Sequence, residues 1–185
     1  ASHYTEFITM ARFVRSSKYR HVFGTGSKSE FTFDNLRVSK SAWDTNKVAA
    51  STKFIGVCWE AGGGGQFAVL DRTKPGKLPA NYPLVAGHKA AVLDIDFSPF
   101  NANVVASCGE DGYGYVWSIP DGGLEKTASS EDAAQTLKGH RRKVGTVNWH
   151  PSAENILATS STDFTVKVWD VRKGAVVSDI GEHTD

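Results

Sequence analysis

The sequence predicts an all-β fold of the WD-repeat β-propeller type, with about three four-stranded blades. Three observations predict it. The chain matches itself at an offset of 52 residues, apolar residues within each copy alternate with period two, and Gly-His, Asp and Trp recur at fixed separations. Gly87-His88 aligns with Gly139-His140, Phe97 with Trp149, Pro99 with Pro151, Asp111 with Asp163 and Trp117 with Trp169. In both copies His precedes Asp by 23 residues and Trp by 29. That is the spacing of one propeller blade per copy.

Each strand follows from its residues. Ala91 to Phe97 alternates Ala91, Leu93, Ile95 and Phe97 with Val92, Asp94 and Asp96. Val104 to Cys108, Tyr113 to Ile119, Lys143 to Trp149, Ile156 to Ser160 and Thr165 to Trp169 are β-branched or aromatic runs. Ser98-Pro99, His150-Pro151 and Glu110-Asp111-Gly112 punctuate them as turns. A weaker blade precedes these. Its expected strands are Phe33 to Ser39, Phe54 to Ala61, Gln66 to Asp71 and Leu84-Val85, and Gly174 to Ile180 completes the last blade. The blades then span approximately 31–86, 87–138 and 139–180. Pro120 to Ala134, rich in Asp, Gly, Ser and Glu, reads as a surface insertion, because the repeat resumes beyond it. Trp43-Asp44 lacks the upstream Gly-His and is a decoy. Three blades do not close a ring, so the chain reads as a fragment of residues 10–185, with completion by another copy as the alternative. Residues 1–9, ahead of Met10, read as a cloning remnant.

Composition bounds the function. Of 185 residues 40% are hydrophobic and 22% charged, and no apolar run is long enough to span a membrane. Cys58 and Cys108 lie in strand-like runs without CxxC spacing, which suits buried thiols in a reducing, cytoplasmic setting. The net charge of +1 conceals a basic N-terminal part: Met10 to Lys53 holds nine Lys and Arg against three acids. Such a bias fits an acidic partner or an idle solvated face.

His140, Asp163 and Ser161 are the ingredients of a catalytic triad. At this spacing they, with Trp169, read instead as a buried structural network, repeated as His88, Asp111 and Trp117 with Gly109 in the serine position. No enzymatic activity is expected. Gly62 to Gly65 lacks the Gly-Lys-Ser/Thr of a phosphate loop, and the histidine spacing gives no metal site and calls for no cofactor. Arg141, Arg142 and Lys143 form a basic loop that either grips an acidic partner or stands idle. Nucleic acid is disfavoured, because the aromatics are spent on strands.

The run Val14-Arg15-Ser16-Ser17-Lys18-Tyr19-Arg20-His21-Val22-Phe23-Gly24 resembles the opening of the coronin family. Leu36 to Ser39, Glu60 to Gly65, Asn81-Tyr82-Pro83, Leu93 to Asp96 and His140 to Trp149 fit the same family, so the resemblance covers Met10 to Asp185. It implies the N-terminal part of a seven-bladed propeller closed by Tyr19 to Phe23, and binding to actin filaments at the cytoplasmic actin cytoskeleton. It places a central binding arginine on Arg37, and the neighbouring basic residues Lys40, Arg12, Arg15 and Lys18 are candidate further contacts with an acidic actin surface. It also implies oligomerisation through a coiled coil, and contact with the actin-nucleating complex, through regions that this sequence does not contain. Ala11 stands where the family has a regulatory serine. The alternative is a generic WD-repeat scaffold for another protein complex, binding through the loop near Arg141.

Overall fold

The computed structural model describes residues 26–181. Three four-stranded antiparallel sheets follow one another along the chain. The first is β2 (Val48–Ala50), β3 (Phe54–Trp59), β4 (Gly65–Asp71) and β6 (Leu84–His88). The second is β7 (Val92–Phe97), β8 (Val104–Gly109), β9 (Tyr113–Ser118) and β10 (Gln135–Lys138). The third is β11 (Val144–Trp149), β12 (Ile156–Ser161), β13 (Val166–Asp170) and β14 (Ala175–Ile180). Each is a blade whose strands run in order from inner to outer edge.

Sheets of this kind are stable only when stacked, and the core lies between them. Phe54, Cys58, Phe67 and Val85 of the first blade pack against Val92, Ile95, Val105 and Trp117 of the second. Ala106, Cys108, Val116 and Leu137 then pack against Val144, Val147, Leu157 and Trp169 of the third. Fully burying side chains of this size contributes roughly 1.5–3 kcal/mol each. Gly87 marks a close approach of the first two blades, since a Cβ there would stand 2.3 Å from the Trp117 ring.

The first blade differs from expectation. Phe33 to Ser39 is not its inner strand. Phe33 and Asp34 form β1, which pairs in parallel with β5 (Gly76–Lys77) as a small separate sheet. Phe33 and Leu36 cover the far face of the first blade, against Val57, Leu70 and Leu78. Only the end of the run reaches the inner edge, where Glu60 N–H donates to Arg37 O and Ser39 N–H to Cys58 O. The chain then leaves, and returns at Cys58 N–H to Lys47 O before β2 continues along the same edge. The inner strand is thus split by the loop 40–46.

The insertion also has a place in the pairing. Ala86 N–H donates to Ala128 O and Ala128 N–H to Leu84 O, so the second blade's insertion runs parallel along the outer edge of the first. A short 3-10 turn, Ser130–Asp132, follows, closed by a capping box in which Ser129 and Asp132 exchange hydrogen bonds. An exposed outer strand is thereby covered.

Candidate binding face

Two buried relays anchor one end of the blades. In the second blade Trp117 Nε1 donates to Ser107 Oγ at 2.9 Å, and Ser107 Oγ lies 2.8 Å from His88 Nε2. His88 Nδ1 lies 3.0 Å from Asp111 Oδ1. In the third, Trp169 Nε1 donates to Thr159 Oγ1 at 2.8 Å, Thr159 Oγ1 lies 2.8 Å from His140 Nε2, and His140 Nδ1 lies 3.1 Å from Asp163 Oδ2. A carboxylate facing Nδ1 fixes the proton there, so Nε2 accepts from the hydroxyl. Each aspartate also accepts the N–H of the residue after its histidine, from Lys89 and from Arg141.

Ser161 is not part of the relay. Its hydroxyl donates to Arg142 O at 3.3 Å and accepts Asp163 N–H. The hydroxyl stands two residues earlier on β12, at Thr159, and its counterpart is Ser107 rather than position 109. Side chains at 107 and 159 share the face that bears the Trp and the histidine, because the strand alternates with period two. Both copies carry a hydroxyl there, ten residues before the Trp. That was the available signal.

The electrostatics suit holding rather than reacting. Burial lowers the pKa of His140 below its ordinary value, against the pull of Asp163. Burial opposes ionisation of Asp163, but the Arg141 N–H, the Thr165 hydroxyl and N–H, and His140 outweigh it and hold the carboxyl well below the usual range. Asp111 is lowered in the same way, burial being outweighed by His88, Lys89 N–H and Tyr113 N–H. The His88 and His140 side chains are 1% and 2% exposed, so the relay offers a substrate no approach. Among the described residues no three His, Cys, Asp or Glu side chains gather as metal ligands. The two thiols are free and buried; burial pushes Cys58 up to about 12 and Cys108 well above its ordinary value.

What the relay positions is the surface above it. The Gly-His turns and the turns at 61–64, 109–112 and 161–164 lie at one end of the blades, and Arg37 and Lys40 join them through their pairing with Glu60. Arg37, Lys40, Lys89, Arg141 and Arg142 are exposed on this face, with Glu60 and Glu110 among them. Lys40 N–H donates to Glu60 Oε2 at 2.8 Å. A cleft of about 350 Å³ opens between the first two blades, lined by Lys40, Trp59, Glu60, Gly64 and Glu110. Arg12, Arg15 and Lys18 lie outside the described residues, as does the expected closing strand Tyr19 to Phe23. Lys143 is not free to reach outward: its Nζ sits 4.6 Å from the centroid of the Trp43 ring.

Residues 81–118 and 132–170 match the WD domain, G-beta repeat, and residues 12–77 match a domain of unknown function, DUF1899. The chain is 46% identical over 164 residues to the coronin-like protein crn1 of Schizosaccharomyces pombe, covering 88% of this chain and 27% of that protein. It is 53% identical over 128 residues to Coronin-A of Dictyostelium discoideum, covering 69% of this chain and 28% of that protein. The WD40 domain of Toxoplasma gondii coronin superposes with a TM-score of 0.75 at 30% identity, covering 82% of this chain and 38% of that one. The chain thus spans between a quarter and a third of the curated relatives' length. Repeat, fold and sequence agree, and the chain belongs to the coronin family of WD-repeat proteins, as the N-terminal part of its β-propeller.

Proposed function

We propose that this chain contributes a non-catalytic actin-filament-binding surface of the coronin type, working in the cytoplasm on the organisation of the actin cytoskeleton. The observation that carries the reading is the exposure of Arg37 and Lys40 on a backbone segment hydrogen-bonded to β3. A guanidinium on a fixed segment loses little freedom on binding, and it can meet a carboxylate with two hydrogen bonds. Membership of the coronin family supports actin as the partner, and the basic bias of the N-terminal part supports an acidic filament surface. Charge steers the encounter, and a few central contacts hold it.

Co-sedimentation with actin filaments tests this, using a chain that carries the complete propeller. Arg37→Asp is expected to weaken binding by about 2 kcal/mol or more, and Lys28→Ala, an exposed charge away from the pairing, by well under about 1 kcal/mol. Equal losses would remove Arg37 from the site. Failure of the folded wild-type protein to pellet would end the actin reading and favour a scaffold for another complex.

A further inference from the structure

Among the differences between the two copies of the repeat, one inner-strand position loses its side chain, and the space is filled from elsewhere in the chain. Leu93 of β7 is 1% exposed, and its counterpart 52 residues on is Gly145. Both lie at a bulge, where the register shifts between Val92 and Asp94 and between Val144 and Thr146. A bulged residue is left out of the ladder, so its carbonyl needs another donor. The loop 40–46 supplies one to each copy: Thr45 Oγ1 donates to Leu93 O at 2.5 Å and Trp43 Nε1 to Gly145 O at 3.0 Å. The indole occupies the missing side chain's place, since a Cβ on Gly145 would stand 2.4 Å from Trp43 Cζ2. Lys143 Nζ lies over the ring, 4.6 Å from its centroid. The loop therefore starts at Lys40, crosses the second blade and locks into the third.

We propose that this strap makes Arg37 and Lys40 of the first blade and Arg141 and Arg142 of the third one rigid basic surface that meets a single acidic partner. The inference rests on the actin-binding reading above and extends its site to the third blade, with Trp43 as a positioning residue. Arg141 and Arg142 are exposed and follow directly after His140, whose relay holds the Arg141 backbone through Asp163. Backbone contact continues the face between blades, because a Cβ on Gly112 would stand 3.0 Å from Arg142 O. Two patches fixed to each other bind with the ordering cost already met, whereas a loose loop at 40–46 would leave each to bind alone.

The test is co-sedimentation with actin filaments across a range of salt, in a chain carrying the complete propeller. The variants are Arg37→Ala, Arg141→Ala with Arg142→Ala, Trp43→Ala and Gly145→Ala. The double arginine variant is expected to bind on the order of three- to tenfold more weakly, with a shallower salt dependence. Trp43→Ala and Gly145→Ala remove no charge, yet each is expected to weaken binding and flatten the salt dependence in the same way. A merely structural role would not change that slope. Trp43→Phe keeps the ring and is expected to recover part of the loss. If Arg37→Ala loses binding while the double variant pellets as wild type, the site is confined to the first blade and the inference is overturned. If both strap variants retain wild-type affinity and slope, the brace is overturned. If folded wild-type protein does not pellet, the actin reading itself has failed.

Discussion

At the scale of single residues, the relays convert sequence spacing into stability. Replacing Asp163 by Ala leaves His140 Nδ1–H and the Arg141 N–H without their acceptor, which costs on the order of 1–3 kcal/mol in chemical denaturation. Thr159→Val is expected to cost a comparable amount, because Trp169 and His140 lose their shared hydroxyl, and Ser161→Ala is expected to cost well under about 1 kcal/mol. The opposite ranking would restore Ser161 to the network. The pH dependence has a defined sign. The Asp163 carboxyl is held below its ordinary value of 3.8, so its contribution is complete above that pH and is lost as the pH falls through the folded value. His140 is lowered from 6.5, so its contribution is complete above 6.5 and erodes on further acidification, as the unfolded chain takes up the proton first. The cysteines give a direct check of packing: a thiol reagent at neutral pH is expected to label neither in the native protein and both after denaturation, read by mass. His, Asp and Trp of the relay were legible in the sequence because they recur at fixed separations. The hydroxyl was mistaken because Ser161 stands only two residues from Asp163 in sequence, while its hydroxyl bonds Arg142 O.

Between elements, the blades are joined by more than apolar contact. Asp94 and Asp96 of β7 accept the N–H groups of Val147 and Trp149 at 3.1 and 2.8 Å, standing in for the strand that the inner edge of β11 lacks. Burial pushes Asp94 up to about 6, with the Val147 and Ile95 N–H groups pulling downward and Asp96 adding to the rise. Since that folded value lies above the ordinary 3.8, the native state holds a proton that the unfolded chain has lost. Stability from this group is complete below 3.8 and declines as pH rises to about 6, beyond which the charged form is destabilising. Asp94→Asn is expected to flatten the decline and to raise the thermal midpoint at pH 7.5. A midpoint lowered by several degrees would mean that the carboxylate's bond to Val147 outweighs its burial. Most strands of the second and third blades were legible, since alternation and Pro, Asn and Gly punctuation report them directly. The split inner strand of the first blade was not, because Phe33 and Leu36 have the apolar character of a strand but spend it on the blade's outer flank. Nor was the pairing of the insertion with β6, which is made by backbone groups at Ala128 and leaves no mark in side-chain pattern.

At the scale of the molecule, the stack of three blades was legible from the repeat. The strap was not, for its Trp-Asp dipeptide reads as a misplaced repeat signature and its partner is a glycine. Its geometry also imposes an order in time. Trp43 and Gly145 are 102 residues apart, so their contact closes a far longer loop than any hairpin within a blade. Local hairpins form early and distant contacts late. As the chain emerges from the ribosome, the first blade can pair its own strands, but its loop has no notch to enter until the third blade's inner strand has been made. Of the three described blades, the first is therefore begun first and finished last.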